Sequence, residues 1–456
     1  MKALALAAIL ALAPIGARAG EEAVTLTLGQ AHALAQQAYA AGDLAFAQAL
    51  ALRLLEANPE DARALLLIAA TAPALGTPEE GRKAGRKAWA AAKDAPLLRY
   101  EVARFTARAA LAEKRPGVAQ FWLRRAADVA PDPVAAAVTA EDFRRIRAGR
   151  RLSYSVDASL SPTSNVNGGA SGDALTVNGT LPLGDLSGSA QALSGLTAAV
   201  RGGVQWKLQE SATTRVRLGL RAYATANRLS DEAKELAPEA RGSDFDFAVL
   251  EATAALDWAP AALPRPLQLT LGTGKSWYGG HELGDHVRGE AGWSLLATPK
   301  SILRLSLSGE RQWRAGGAVN AVAWRLEGGR LVGQAGDKLV FGVALKRVTG
   351  EAANTDYTAA SFDLGYDFAR PLGPALLSLR ATAGMRDYPF YALGPIGVNA
   401  GREDQSAGLS VEARFPGLQR YGYTPKITLS ADETLSNISR FQTRNIGLSV
   451  GFASSF

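Results

Sequence analysis

The chain of 456 residues is long enough for two or three domains, and its composition narrows the classes of protein that it can form. It contains no cysteine, which excludes disulfides, thiolate metal sites and cysteine nucleophiles. Its formal net charge of +7 is modest for this length, and it suits contact with anionic lipid or an acidic partner without indicating a nucleic-acid ligand.

The first residues have the pattern of a signal peptide. A basic start at Lys2 is followed by the apolar stretch Ala3–Ala13, which is too short to span a bilayer. Residues 17–19, Ala-Arg-Ala, have the form of a signal-peptidase site, so we expect residues 1–19 to be removed before Gly20. These features predict export across the inner membrane of a bacterium. Beyond them no apolar run reaches about 18 residues, so no transmembrane helix is expected, although strands closed into a barrel can still span a membrane.

Helical spacing of apolar residues runs from about Leu26 to Arg147, in a segment dominated by good helix formers. The segment repeats, because Ala47–Asp61 aligns with Ala119–Pro133, 72 residues further on. Prolines that would each end a helical hairpin recur at intervals of 37 and 35 residues, close to the ~34-residue tetratricopeptide period: Pro59, Pro96 and Pro131. We therefore predict three tetratricopeptide-like helical hairpins in a periplasmic domain at residues 20–148.

A stack of such hairpins forms a concave surface that other polypeptides bind. We interpret the domain as a module that captures a client protein, or a chaperone holding it, with a plain helical spacer as the alternative. Basic pairs such as Arg82-Lys83 are typical of a solvated helix face as well as of a binding stripe. The denser cluster Arg144–Arg151 precedes the change of pattern, where attraction to anionic lipid head groups is expected.

After Arg151 the apolar period changes to two, as in strands whose alternate residues face opposite sides. Fourteen such segments can be counted, and an even number is typical of bacterial outer-membrane barrels. The segments start near Leu152, Leu196, Thr214, Phe245, Leu267, His286, Ser301, Asn320, Lys338, Tyr357, Ala375, Arg402, Thr424 and Arg444. The predicted fold has two domains, α then β: tetratricopeptide-like repeats followed, over residues 149–456, by a 14-stranded antiparallel transmembrane β-barrel.

The connections between the segments favour a barrel over a soluble sandwich. In outer-membrane barrels odd-numbered connections are extracellular and longer, and even-numbered ones are periplasmic and shorter. The odd connections Ser161–Gly195, Leu229–Gly242 and Pro389–Gly401 are long, whereas the even connection Glu210–Ala212 is short. The alternation is imperfect, since the even connection Pro416–Tyr423 is also fairly long. Aromatic residues also gather near the segment ends, as interfacial girdles require. The terminal Phe456 is the expected signal for the barrel assembly machinery.

The stretch after the first segment reads Pro162-Thr163-Ser164-Asn165-Val166-Asn167 and opens a long loop rich in Gly, Ser and Asn. Pro162 is expected to end the strand ladder, because it has no N–H to donate. Ser164, Asn165 and Asn167 favour local hydrogen bonds from side chain to backbone over strand pairing.

A signal peptide, a small tetratricopeptide domain and a fourteen-strand barrel opened by this P-[ST]-S-N-[IV]-N element resemble the surface lipoprotein assembly modulator (Slam) family. The resemblance covers essentially the whole mature chain in architecture. Members of that family are outer-membrane translocons that deliver particular lipoproteins to the cell surface or release soluble haem-scavenging proteins. The resemblance implies the same role here, and it makes Pro162, Ser164, Asn165 and Asn167 the residues of the family-motif loop.

Charged residues on the inward face of the segments are the candidate lining of the lumen. By alternation they are Arg217, Arg221, Arg304, Glu310, Lys346, Arg380, Glu412, Arg414 and Asp432. Two interpretations stay open, a structural ladder of charges across the lumen and the lining of a path for a client.

Two short motifs suggest chemistry that the surrounding pattern does not support. Gly272–Ser276, GTGKS, ends like a phosphate-binding loop, but Leu269 stands where that loop needs glycine and the segment alternates like a strand. His281–His286, HELGDH, is expected to be an extracellular loop whose spacing matches no metal or hydrolytic motif. We therefore expect no enzyme activity, no cofactor and no metal site.

The main hypothesis is a protein-export channel in the bacterial outer membrane, with its helical domain in the periplasm. Expected partners are a client lipoprotein or secreted haem- or metal-scavenging protein, a periplasmic chaperone, outer-membrane lipid and lipopolysaccharide, and the barrel assembly machinery, but no nucleic acid. The alternatives are export of a polysaccharide, a diffusion porin, and an outer-membrane hydrolase that uses the two histidines of His281–His286.

Overall fold

A computed structural model describes residues 26–454, apart from 180, 262, 264, 395, 399, 400, 421 and 422. The predicted signal peptide at 1–19 and the terminal Phe456 lie outside the described residues. The chain forms two compact units, a helical one that ends at Arg150 and a strand-rich one that starts at Arg151. Within the described part, no helix is both long and apolar enough to cross a membrane.

The helical unit contains seven helices in its described residues, one more than the three predicted hairpins need. They are α1 (Leu28–Ala40), α2 (Leu44–Ala57), α3 (Ala62–Thr71), α4 (Pro78–Ala91), α5 (Pro96–Ala112), α6 (Pro116–Asp128) and α7 (Pro133–Gly149). Each helix packs against the next along the chain. Gly42 lies between α1 and α2 with φ +84°, which a glycine adopts without strain.

One prediction about the prolines is wrong. Pro59 and Pro131 lie in the turns after α2 and α6, but Pro96 is the first residue of α5 and not the end of a hairpin. The first residue of a helix has an N–H without a partner inside the helix, so proline costs nothing there. Pro78, Pro116 and Pro133 start their helices in the same way.

Small residues let the helices of this unit pack closely. Ala35, Ala47 and Ala64 are fully buried among the first helices, where Leu54 is 1% exposed. Gly85 of α4 faces Thr106 of α5 so closely that an added Cβ would stand 2.0 Å from the threonine Oγ1. Thr106 is held in place because its hydroxyl donates to the carbonyl of Val102 at 2.6 Å.

The second unit is a closed antiparallel barrel of fourteen strands. In chain order the strands of the unit are β1 (Leu152–Thr163), β2 (Ala174–Val177), β3 (Leu181–Asp185), β4 (Gly195–Glu210), β5 (Thr214–Leu229), β6 (Phe247–Trp258), β7 (Leu267–Tyr278), β8 (His281–Ala297), β9 (Ser301–Arg314), β10 (Gly317–Val332), β11 (Asp337–Gly350), β12 (Tyr357–Asp367), β13 (Leu376–Tyr388), β14 (Tyr391–Leu393), β15 (Ile396–Val398), β16 (Arg402–Arg414), β17 (Tyr423–Ser436) and β18 (Thr443–Ser454). The pairs β2–β3 and β14–β15 form small hairpins in two connections, and a short helix, α8 (Asp231–Leu236), lies in a third. The remaining strands pair in sequence order, and β18 returns to β1.

The two-domain fold class and the fourteen barrel strands are confirmed, and three details of the prediction are wrong. Strand β8 starts at His281 and not near His286, because Gly279 and Gly280 alone make the turn. Odd connections are not all long, since this turn and the one at residues 315–316 each have two residues. Strand β1 continues past Pro162 to Thr163.

Large apolar side chains are exposed on the outer face of each barrel strand. Leu409 is 67% exposed, Leu271 66% and Leu345 57%. Apolar surface on this scale is not stable in water, whereas the hydrocarbon of a bilayer solvates it. The outer surface is therefore that of a membrane-spanning barrel.

We predict that Gly85→Val destabilises the helical unit by about 2 kcal/mol, because the new side chain overlaps Thr106, which cannot move aside. The measurement is urea unfolding of the full chain in detergent, followed by the helical signal in circular dichroism. Gly29→Val in α1 is the matched control, since an added Cβ there meets nothing within 4 Å. Equal midpoints for the two variants would contradict the prediction.

Candidate functional site

The predicted lumen residues lie on the strand face opposite the exposed leucines, and most of them form ion pairs between strands. Arg217 on β5 contacts Asp257 on β6 at 2.8 Å, a pair that spans neighbouring strands. Arg304 on β9 contacts Glu290 on β8 at 3.2 Å. The wall of the lumen is thus a ladder of opposite charges rather than a field of one sign.

Glu251 on β6 is the centre of the largest charge cluster in this ladder. Its carboxylate accepts hydrogen bonds from Arg288 Nε at 2.6 Å and Arg288 Nη2 at 2.9 Å. His286 Nε2 lies 3.4 Å away, and Arg221 Nη1 lies 3.8 Å away. The Glu251 side chain is only 12% exposed, so one carboxylate serves three basic neighbours in a largely desolvated position.

This cluster corrects the prediction for His281–His286. The segment was expected to be an extracellular loop, but it belongs to β8, and His286 reaches the lumen cluster through Glu251. Among the described residues, no group of histidines and carboxylates has the arrangement of a metal site. Gly272–Ser276 lies inside β7 and pairs with strands on both sides, as the alternation predicted.

The other predicted lumen residues differ in how they are paired. Arg380 contacts Asp367 at 2.6 Å, and Glu412 lies 3.3 Å from both Arg414 and Lys426. Glu310 accepts a hydrogen bond from Gln312. Within the described chain Lys346 and Asp432 have no ion-pair partner.

The sequence prediction missed several residues of the ladder. Four charged residues of the inward face were not predicted: Glu251, Arg288, Arg325 and Asp363. Arg325 Nη2 lies 3.0 Å from Asp363 Oδ2. The same alternation that selected Arg217 would have found them. Their pairing was not predictable, because Glu251 and Arg288 are 37 residues apart and meet only through the register of three strands.

The connections at one end of the barrel fold against one another, and we call this end the loop rim; its connections are residues 164–194, 230–246, 351–356, 389–401 and 437–442. Asn178 N donates to Asn437 O at 2.7 Å, and Asn354 Nδ2 donates to Ala392 O at 2.8 Å. Leu193 and Ile438 are completely buried there. In α8 a hydrogen bond from Lys234 lowers the pKa of Asp231.

The family-motif loop organises the longest of these connections. Asn167 Nδ2 donates to Gln191 O at 2.7 Å, and Asn167 Oδ1 accepts from Leu193 N at 2.9 Å. Asn165 is 9% exposed and exchanges two hydrogen bonds with the backbone of Gly169, each 2.9 Å long. The two asparagines therefore make the local hydrogen bonds that their residue type predicts.

Arg402 is enclosed by aromatic rings and contacts two connections of the loop rim, residues 389–401 and 437–442. The guanidinium carbon of Arg402 lies 3.3 Å from the centroid of Phe441 and 4.7 Å from that of Tyr388. Asp404 binds the same guanidinium at 2.7 and 2.9 Å. With its charge neutralised and its faces covered, Arg402 is a fixed anchor.

The barrel is closed by a seam, the pairing of β1 with β18, which is less complete than the other strand pairs. Along its other edge β1 pairs with β4 at every position from Leu152 to Thr163. In the described chain it pairs with β18 at three positions, Ser159–Gly451, Leu160–Val450 and Thr163–Gly447. Few backbone hydrogen bonds therefore hold the seam.

The helical unit carries a groove of about 590 Å³ between α5, α6 and α7. Its floor is apolar and includes Phe105, Leu123 and Ile146. Arg108 and Arg145 lie exposed at its edge and have no ion-pair partner in the described chain. The lining also includes Glu101 and the ion pair of Arg104 with Asp142. The groove has the size of a site for an apolar side chain, and its arginines outnumber its acidic residues by three to two.

Both residues of the basic pair Arg82-Lys83 form ion pairs within the helical unit. Arg82 contacts Glu113 at 2.7 Å, and Lys83 contacts Glu79 at 2.9 Å. The hydrogen bond from Lys83 lowers the pKa of Glu79. Arg125 lies 4.4 Å from the ring centroid of Phe121 and is part of the packing.

These features define a membrane β-barrel of the outer-membrane type that is preceded by tetratricopeptide-like helices. No family model matches the chain, and no characterised protein matches its sequence significantly. Solved structures resemble separate stretches of it. The translocator chaperone SycD of Yersinia enterocolitica is 19% identical, with 27% of this chain and 84% of SycD covered at a TM-score of 0.24.

Two barrels resemble a larger share of the chain. OmpT of Vibrio cholerae is 6% identical, with 66% of this chain and 97% of OmpT covered at a TM-score of 0.33. A bacterial polysaccharide outer membrane secretin is 9% identical, with 66% and 98% covered at a TM-score of 0.32. Because these likenesses are remote, the class of the protein follows from its own geometry.

We predict that Glu251→Gln lowers the stability of the barrel by about 2 kcal/mol, because it leaves Arg288, His286 and Arg221 without their common carboxylate. The measurement is the urea midpoint at which the folded barrel loses its characteristic gel mobility. Lys346→Gln is the control, since Lys346 has no ion pair among the described residues. A midpoint unchanged in Glu251→Gln would contradict this role.

We predict that Asn167→Ala loosens residues 164–194, because four hydrogen bonds of the Asn167 side chain are lost. Hydrogen exchange of the backbone in this connection should accelerate by roughly tenfold or more, in line with about 1.4 kcal/mol of local stability. Ser189→Ala is the control, because the Ser189 hydroxyl contacts only Ser187 at 3.3 Å. Identical exchange in both variants would refute the prediction.

Proposed function

We propose that this chain is an outer-membrane translocon that carries a client protein from the periplasm to the cell surface or exterior. The observation that carries the proposal is that one polypeptide contains both a helical repeat unit with an open groove and a closed barrel with a lipid-facing exterior. A repeat unit of this kind binds other polypeptides, and a barrel provides a way across the membrane. The chain thus contains one unit suited to binding a client protein and another suited to moving it across the membrane.

The topology supports a periplasmic position for the helical unit. A barrel with an even number of strands has both chain ends on the same side, which is the periplasm in outer-membrane barrels. The helical unit directly precedes β1 in the chain, which favours the periplasmic side for it. The loop rim then faces the exterior, in keeping with its long connections.

The groove between α5, α6 and α7 is the proposed capture site for the client or for a periplasmic chaperone holding it. Its apolar floor and the unpaired Arg108 and Arg145 favour a segment with an apolar anchor and acidic neighbours. From the Slam resemblance we infer that the client is a surface lipoprotein or a soluble haem- or metal-scavenging protein. Assembly of the barrel itself is assigned to the barrel assembly machinery.

The test of this function compares a deletion strain with the complemented strain by surface biotinylation and by analysis of secreted proteins. We expect one or a few proteins to move from the surface or medium to the periplasm while their total amounts stay constant. We call these proteins the dependent proteins. An unchanged distribution of every exported protein, together with strong ion conductance by the isolated protein, would instead establish a diffusion porin.

We predict that the double variant Arg108→Glu/Arg145→Glu reduces export of the dependent proteins roughly tenfold, which corresponds to about 1.4 kcal/mol of client binding. The charge reversal repels an acidic segment without changing the apolar floor. Arg63→Glu/Lys93→Glu is the matched control, because both residues are exposed and lie outside the groove. Equal loss in both double variants would show a general charge effect and reject this groove as the capture site.

A further inference from the structure

We propose that the seam between β1 and β18 opens sideways, and that an extended segment of the transported protein pairs with the freed edge of β1 during passage. The inference rests on the proposed function, to which it adds a route and a docking edge. The partner that fits is a polypeptide in β-conformation, with apolar side chains towards lipid and polar ones towards the lumen.

The register of the seam shows where it is incomplete. Pairing of β1 with β18 stops at Ser159, which lies opposite Gly451. The same register would place Val156 opposite Ser454. The three pairs of this register beyond Ser159, which are Ala158–Phe452, Asp157–Ala453 and Val156–Ser454, do not form in the described chain, although all six residues belong to β1 and β18.

Pro162 removes a further hydrogen bond from the seam. The N–H of Ser164 donates to the carbonyl of Ile446 at 3.1 Å, so even-numbered residues of β1 direct their backbone groups towards β18. Pro162 belongs to this set and has no N–H. The N–H of Ile446 donates to the Ser164 hydroxyl at 2.9 Å, so a side chain replaces a backbone acceptor.

The lumen side chains add little to hold the seam. Where the strands pair, its inner face carries small uncharged residues: Ser159, Ser161, Gly447, Ser449 and Gly451. Asp157, further along the same face of β1, forms no ion pair with β18 in the described chain. In the described chain the ion pairs of the charge ladder join other strands and none crosses from β1 to β18. The side-chain hydrogen bonds that cross it lie near the loop rim. Thr163 Oγ1 donates to Asn445 Oδ1 at 2.6 Å and Ser164 Oγ donates to the same atom at 3.4 Å, while Asn165 Nδ2 donates to Arg444 O at 3.5 Å.

A groove of about 780 Å³ lies on the outer surface over the same end of the seam. Its lining is largely apolar and comes from both sides of the seam: Pro162, Leu196, Leu429, Ile446 and Leu448. Side chains of a strand that leaves the lumen between β1 and β18 would enter this groove. The missing N–H of Pro162, the small inner-face residues and the outer groove therefore occur together at the loop-rim end of the seam, and the strand pairs missing beyond Ser159 lie towards its other end.

An opened seam needs a new partner for its backbone groups. Unpaired N–H and C=O groups are costly in the hydrocarbon of a bilayer, and an exposed strand edge binds an extended peptide by adding a strand. A passing segment of the transported protein meets this requirement at β1, whose ladder with β4 stays intact.

The chain has no cysteine, so engineered disulfides can lock single strand pairs. The test variant is Leu160→Cys/Val450→Cys, which joins opposite residues across the seam. The matched control is Leu160→Cys/Ala198→Cys, which uses the same first position but joins β1 to β4. Export of the dependent proteins is measured by surface biotinylation with and without reductant, and barrel folding is checked by gel mobility.

We expect the oxidised seam lock to reduce export roughly tenfold or more and reductant to restore it, while the control lock exports normally. Normal export through a fully oxidised seam lock would overturn the inference and leave the proposed function intact. Absence of any dependent protein in the deletion comparison would reject the function itself, so the two failures are distinguishable.

A photocrosslinking amino acid tests the docking edge directly. It is placed at Val156, in the part of β1 that does not pair with β18, or, as control, at Val200 on β4. The side chains at these two positions are 59% and 51% exposed. We expect a dependent protein to crosslink at position 156 and not at 200. Equal crosslinking at both positions, or none at 156 while export proceeds, would reject strand pairing at β1.

Discussion

The structure depends on one constraint, that every backbone N–H and C=O inside a bilayer needs a hydrogen-bond partner within the protein. A sheet meets the constraint only by closing on itself, and here β18 returns to β1 to complete the barrel. Closure fixes the alternation of side chains, so leucines such as Leu409 face lipid and charged residues such as Arg217 face the lumen. Among the described strand pairs the closing seam has an incomplete ladder, so the proposed exchange of partners there breaks fewer backbone hydrogen bonds than elsewhere in the barrel.

The charges of the lumen follow from this geometry. A wide barrel has to place polar residues on its inner wall, and unpaired charges in a partly desolvated wall would be costly. Glu251 and its basic neighbours illustrate the solution, in which side chains from β5, β6 and β8 form ion pairs with one another. A wall of balanced charge does not attract one sign of solute strongly, which suits a passage for polypeptide segments of varied charge.

Much of the fold could be predicted from the sequence because its signals are local. Strand alternation and turn residues gave each of the fourteen starts to within five residues, the largest difference being His286 against His281. That error came from interpreting HELGDH as a loop, when the two glycines before it already complete the turn. The Glu251 cluster and the incomplete seam depend on register between strands distant in sequence, which composition and periodicity do not encode. Pro96 was misassigned because proline is suited equally to following one helix and to starting the next.

Strand exchange at the seam also bears on the source of energy. Gly272–Ser276, the segment most like a nucleotide-binding loop, is paired on both sides within β7, so its backbone N–H groups are not free to bind phosphate. In the proposed translocon, export therefore proceeds without nucleotide hydrolysis at that segment. Replacing β18 by a client strand exchanges one set of backbone hydrogen bonds for another of similar strength, so its net cost is small compared with breaking them. Folding of the client outside the membrane would then make the passage irreversible, because the folded protein no longer offers an extended segment to β1.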